Sequence, residues 1–225
     1  MKRSKFKLSI VLIIIFLFSF SFAFSADKKI VEIYNNIAKM SQIYTPEHYA
    51  VKVINKKFEE ALKELPEDVL ISGKKPYVLI DFTKGKGVRI LIENIKDEYK
   101  SLFSMYEDYF KFSGISKVQN PMEFKEIIDQ GVVKFYKEDK NYVIVQAWDP
   151  EKKDKKDDYA LFYLDKKMWI IKKAIYYIDG TPYVEAINHY EKIGKYYLPT
   201  RIELKSLTEE GGGDVFYFKD YQFKN

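Results

Sequence analysis

MWIIKKAIYYIDGTPYVEAINHYEKIGKYYLPTRIELKSLTEEGGGDVFYFKDYQF, residues 168–223, is the stretch that decides the fold. It divides into four long runs rich in Tyr, Ile, Val and Phe, at 168–178, 182–192, 196–206 and 215–223. Turn chemistry bounds each run. Asp179-Gly180 suits the positive-φ positions of a tight hairpin, Ile193-Gly194-Lys195 offers a second turn, and 210–214 carries three glycines in a row. Connections this short force neighbouring strands to be antiparallel, so the segment is a meander. Ile202 and Leu204 alternate with Arg201, Glu203 and Lys205, which gives that strand a dry side and a wet side.

Working back from the meander, 49–54, 77–83, 88–93, 132–136, 141–148 and 159–164 also have strand character, for about ten strands in all. Lys84-Gly85-Lys86-Gly87 lacks the full phosphate-loop pattern and reads as a hairpin turn. The charge run 151–158 lacks the spacing of a calcium loop and reads as a solvated hairpin tip. The strands at 142–147 and 159–164 are apolar on both alternating sets, so both faces of the sheet are covered, one by helices and the other by tyrosine.

The helices sit before and in the middle of the strands. Ile30, Ile33, Tyr34, Ile37 and Met40 fall at helical spacing behind an Asp27 cap. Phe58, Ala61, Leu62 and Leu65 mark a short second helix that Pro66 ends. In 97–113, Tyr99, Leu102, Phe103, Tyr106 and Phe110 form one aromatic stripe, ended by Gly114. Asn120-Pro121-Met122-Glu123 has the form of a capping box, and the helix it opens runs to Gly131. The pattern specifies an α+β, mainly β domain: one strongly curved antiparallel sheet, an incomplete β-barrel, with helices packed in or over its open concave side.

At the start of the chain, Lys2, Arg3, Lys5 and Lys7 precede an uncharged apolar run, 8–24, and Ala23-Phe24-Ser25. Two readings are open: a secretory signal over residues 1–25 cut before Ala26, or an anchor of near-minimal length. The first makes 26–225 an exported domain. With no cysteine in the chain, a lipid-modified cysteine at that site is excluded.

The whole chain carries 38 basic and 33 acidic residues; without the first 25 residues the balance is 34 against 33. Arginine is then confined to Arg89 and Arg201. That is not the electrostatic footprint of a nucleic-acid binder. About 200 residues suffice to bury one core without disulfides. Aromatic content is 17%, with 19 Tyr and 17 Phe, and tyrosine lines apolar cavities with its hydroxyl at a wet edge.

Chemistry is hard to find. His48 and His189 are the only imidazoles. His189 shares strand parity with Glu185 and Glu191, so a hydrolase can be drawn from these three residues, provided that they converge in a cleft. No nucleophile elbow, zinc-protease helix or dinucleotide fingerprint is present.

The segments 169–173, 176–180, 190–194 and 198–202 and the closing Phe218-Lys219-Asp220-Tyr221 together resemble the C-terminal half of the outer-membrane lipoprotein-sorting proteins, the LolA-like family. The shared pattern is a strand ending in an Asp-Gly turn, a Gly-containing turn, a Leu-Pro and a final strand, over roughly the last 90 residues. The N-terminal half does not match position by position. The resemblance implies a half-barrel with helices plugging the open side, a periplasmic location, and a cavity that shelters the acyl chains of a lipoprotein or another lipid. Tyr99, Leu102, Phe103, Tyr106, Phe110, Trp148 and Trp169 are the expected cavity lining, and Arg89 the expected contact to the helical lid. It further implies a monomeric carrier that works without a cofactor and hands its cargo between inner- and outer-membrane partners. A non-catalytic envelope interaction module with a filled core is the alternative.

Overall fold

The computed structural model describes residues 27–102, 104, 115–149, 151, 155–209 and 211–224. The described residues begin with helix α1 (Lys28–Tyr44), capped by the Asp27 carboxylate, which accepts from the Lys29 N–H. Then come β1 (His48–Ile54), α2 (Lys56–Lys63), β2 (Tyr77–Thr83), β3 (Gly87–Glu93), α3 (Ile115–Gln119) and α4 (Pro121–Asp129). The rest is strand: β4 (Val133–Glu138), β5 (Tyr142–Trp148), β6 (Tyr159–Asp165), β7 (Ile171–Ile178), β8 (Thr181–Ile193), β9 (Tyr196–Ser206) and β10 (Gly213–Phe223).

All ten strands form one antiparallel sheet in the order β3-β2-β1-β10-β9-β8-β7-β6-β5-β4. Its first and last members, β3 and β4, do not pair, so the sheet stays open. Register shifts interrupt the pairings β1–β10, β4–β5, β6–β7, β7–β8 and β8–β9. Bulges bend strands and increase their twist, so a sheet bulged so often curls around the helices. The hairpin turns follow the expected chemistry: Asp179 and Gly180 take φ of 48° and 74°, and Gly194 takes 63°. Gly213 is needed for a different reason. A Cβ there would collide with the Leu204 carbonyl oxygen of the neighbouring strand.

Two differences concern the middle of the chain. Of the aromatic helix expected over 97–113, residues Asp97–Tyr99 form a 3₁₀ turn, and the Ile92 N–H donates to the Lys100 carbonyl at 3.0 Å, holding residue 100 beside β3. Residues 103 and 105–113 lie outside the described residues. The capping box at α4 is also altered: the Asn120 side chain caps no backbone N–H, and its Nδ2 donates to Glu123 Oε1 at 3.2 Å.

The inner face of the sheet holds two apolar cores. The first joins β1–β3 and β8–β10 to α2 and α3, through residues such as Tyr49, Val51, Ile80, Phe82, Ile115, Ile202 and Phe216. Here α2 is tied down by Asn55, whose side chain accepts from the Phe58 N–H at 3.2 Å and donates to the Val215 carbonyl at 3.0 Å. The second core joins β5–β8 to α1 and α4, with Ile30, Ile33, Ile37 and Phe124 set against Val143, Val145, Phe162 and Ala174.

The outer face explains why β5 and β6 are apolar on both sides. Ile144 and Leu161 point outward yet are buried. On the same face stand Tyr142 and Tyr163, in edge contact at 6.1 Å, and Tyr159 and Tyr177, stacked at 4.5 Å. The charged loop before β6 is built into the fold. Gly180 N–H donates to the Asp157 carbonyl and Asp179 N–H to the Asp158 carboxylate, both at 2.9 Å, so this loop braces the β7–β8 turn.

At the other end of the outer face Asp81 is buried beneath three basic side chains. His48 Nε2 lies 2.6 Å from Oδ1, Arg89 Nη2 donates to Oδ2 at 2.5 Å, and Lys224 Nζ is 3.7 Å away. Burial alone would raise this carboxyl's pKa, but the hydrogen bonds to His48 and Arg89 and the charge of Lys224 outweigh it and hold the pKa below the ordinary value. Such a group stabilises the fold above the unfolded carboxylate pKa, roughly 4, and loses that contribution as pH falls through its lower folded value. The side chain of Arg89 is 67% exposed, which screens its share. Asp81→Asn is therefore expected to cost about 1–2 kcal/mol at pH 7. Urea unfolding of both proteins at pH 7 and pH 3 checks this: the difference should shrink at the lower pH.

Candidate functional site

The two cores meet along a polar seam. Ser41, Thr45, Gln119, Asn120 and Asn188 are all buried there, in an otherwise apolar interior. Ser41 Oγ donates to the Gln119 carbonyl at 2.9 Å, joining α1 to α3. Tyr49, on β1, donates its O–H to Gln119 Oε1 at 2.9 Å, joining α3 to the sheet. Burial raises the Tyr49 hydroxyl's pKa far above the ordinary tyrosine value, and the hydrogen bond offsets only part of that rise, so the group remains a donor at neutral pH. Among the described residues, Gln119 Nε2 has no acceptor. On the sheet side, Asn188 Nδ2 and the Tyr190 hydroxyl both donate to the Ile171 carbonyl, at 2.9 and 3.2 Å.

Gln119 borders two voids. The larger, about 20 Å³, is walled by Tyr49, Val51, Ile80, Ile202, Phe218 and Tyr221. The smaller, about 10 Å³, is walled by Met40, Tyr44, Met168, Trp169, Tyr190 and Tyr197. On this measure a void of about 10–15 Å³ is needed for one water, so neither has room for an acyl chain. Helices α1, α3 and α4 pack on one another and form a single cover. Its apolar anchor is Phe124, fully buried in the second core.

The expected site residues divide between the two faces. Trp169 borders the smaller void and takes φ of 52°, a left-handed conformation uncommon for a bulky side chain. The turn is fixed by the Asp165 carboxylate, which accepts from the Lys167 and Met168 N–H groups. Tyr99 packs against the first core, and Leu102 is exposed. Phe103, Tyr106 and Phe110 lie outside the described residues. Trp148 falls on the outer face, because strand parity sends Val143, Val145 and Ala147 inward. There its ring lies 4.9 Å below Lys134 Nζ, and its Nε1 donates to the Lys156 carbonyl at 3.1 Å. Arg89 is also turned outward, since Ile90 and Ile92 take the inner face of β3; among the described residues it meets Asp81.

His189 does not gather with Glu185 and Glu191. It pairs across strands with Glu203, Nε2 to Oε1 at 2.7 Å, beside Arg201, which bridges Glu203 at the same distance. Glu185 faces Lys173. The group is part-exposed on the outer face. Among the described residues, no cluster of three or more His, Asp or Glu side chains is placed to hold a metal ion, and no helix is long and apolar enough to cross a membrane. The residue missed from sequence was Gln119; its partners, 70 and 78 positions away, left no local signal.

Compared with solved structures, the fold is similar to that of a putative outer membrane lipoprotein-sorting protein domain from Vibrio parahaemolyticus. The TM-score is 0.51, with 10% identity over 85% of this chain and 92% of that one. A DUF1329 family protein from Desulfovibrio piger aligns at TM-score 0.47 and 12% identity over 87% of this chain and 93% of that one. A LolA superfamily protein from Nitrosomonas europaea aligns at 0.39 and 11%, over 85% and 93%. No family model and no curated protein matches the sequence. At this identity the likeness to the Vibrio parahaemolyticus domain shows the fold alone: an open antiparallel sheet with helices on its inner face.

Proposed function

We propose that the chain is an exported, non-catalytic carrier or binding protein of the periplasm that shelters acyl chains of a lipoprotein or other lipid between the sheet and the helical cover. In this reading residues 1–25 are a cleaved signal and 26–225 the working domain, a monomer that exchanges cargo with membrane partners. The observation that carries the reading is the polar seam. It divides the interior into two greasy halves; polar links from the cover to the sheet side run through the Tyr49–Gln119 hydrogen bond and a 3.5 Å contact from Lys84 Nζ to the Ser41 carbonyl, and apolar contacts of residues such as Ile33, Ile37 and Phe124 supply the rest of its hold. A cover held this way can be lifted, and each methylene then buried contributes about 0.8 kcal/mol. The hollow is made by opening, not preformed. The fold likeness supports the same reading.

The smallness of the voids favours a second reading, an envelope interaction module whose core is permanently filled. Lipid extraction and mass spectrometry of the natively purified protein, with displacement of a fluorescent fatty acid as the second measurement, separates them. The carrier yields bound lipid or displaces the probe; the filled module does neither.

A further inference from the structure

The amide of Gln119 is 3% exposed, and its two halves are treated differently. The oxygen accepts from Tyr49 at 2.9 Å, which orients the group, while Nε2 is left without an acceptor among the described residues. A buried donor without a partner is costly, and natural proteins keep few of them. This one, on helix α3 of the cover, borders both voids, the larger walled mainly by apolar side chains and the smaller also by Ser41 and Thr45. Asn188 and Tyr190, buried polar side chains on the sheet, donate to the Ile171 carbonyl.

We infer that Gln119 Nε2 is a recognition donor for the carbonyl oxygen of an acyl ester or amide, the apolar walls on either side taking the hydrocarbon. The inference rests on the sheltering function and adds a polarity to it. The chain lies in the greasy interior in one register, fixed by the one point along it that accepts a hydrogen bond. A neutral carbonyl matches a neutral amide donor.

The test compares two ligands that differ only in that oxygen, methyl palmitate and hexadecyl methyl ether, each competing against a fluorescent fatty-acid probe on the wild-type protein and on Gln119→Leu. The wild type is expected to bind the ester about five- to tenfold more tightly than the ether, the factor one neutral hydrogen bond represents. In Gln119→Leu the two ligands should bind alike. Equal binding by the wild type, or an ester preference that survives in Gln119→Leu, overturns the inference and leaves the sheltering function standing. Failure of both ligands to bind the wild type removes the sheltering function, and the inference with it. The wild-type comparison decides the matter even where the variant does not fold.

Discussion

Phe124→Ala is expected to lower stability and yet tighten lipid binding. Phe124 is fully buried, and its ring fixes α4 in the second core among residues of α1 and β5–β7. Truncating a buried phenylalanine costs about 3–5 kcal/mol, because contacts are lost and a cavity remains. Most of those contacts exist only while the cover is closed. The substitution therefore raises the share of molecules with the cover lifted, and apparent affinity rises in proportion to that share. A gain of about 10- to 100-fold in affinity for a fluorescent fatty acid is expected, with a lower urea midpoint in the lipid-free protein. Titration and unfolding of the same preparation check it. A variant that is less stable and binds no better would mean that the cover is not what limits access.

Phe216→Ala should show the opposite division. Phe216 is equally buried, on β10, with its ring 5.7 Å from that of Phe58 in α2. The loss of stability is again about 3–5 kcal/mol. Its contacts belong to the first core, where α2 is tied to β10 through Asn55 on the same side of the seam, so lifting the cover leaves them in place. The probe should bind as it does to the wild type, within about twofold at temperatures where the variant is folded. The pair of variants thus separates general loosening of the fold from release of the cover.

The meander was legible because its information is local. The Asp179-Gly180 and Gly194 turns fix antiparallel neighbours, and the alternation around Ile202 fixes a face. Asp27 and Gly131 announced helix ends in the same way. Long-range polar pairing was not legible. His189 was read along its own strand toward Glu185 and Glu191, but its partner Glu203 comes from the adjacent strand, whose register cannot be read from one strand alone. The family resemblance implied a lid contact for Arg89 and the cavity for Trp148, whereas parity and the apolar alternate positions turn both side chains to the outer face, where tyrosine lets large side chains bury apolar surface as well. Of the stripe at 97–113 only the start falls among the described residues, where 97–99 form a 3₁₀ turn and the Ile92 N–H, on β3, donates to the Lys100 carbonyl.

The two tryptophans provide the most direct test of where cargo lies, since one stands on each face of the sheet. Trp148→Phe leaves only Trp169, beside the inner void, and Trp169→Phe leaves only Trp148, under Lys134 on the outer face. Titrating both single-tryptophan proteins with a dibrominated fatty acid, a short-range quencher, reports the face occupied. Shelter beneath the cover predicts strong, saturable quenching of Trp169 and little change at Trp148. Quenching of Trp148 with Trp169 unaffected would place the ligand on the tyrosine face and contradict the account.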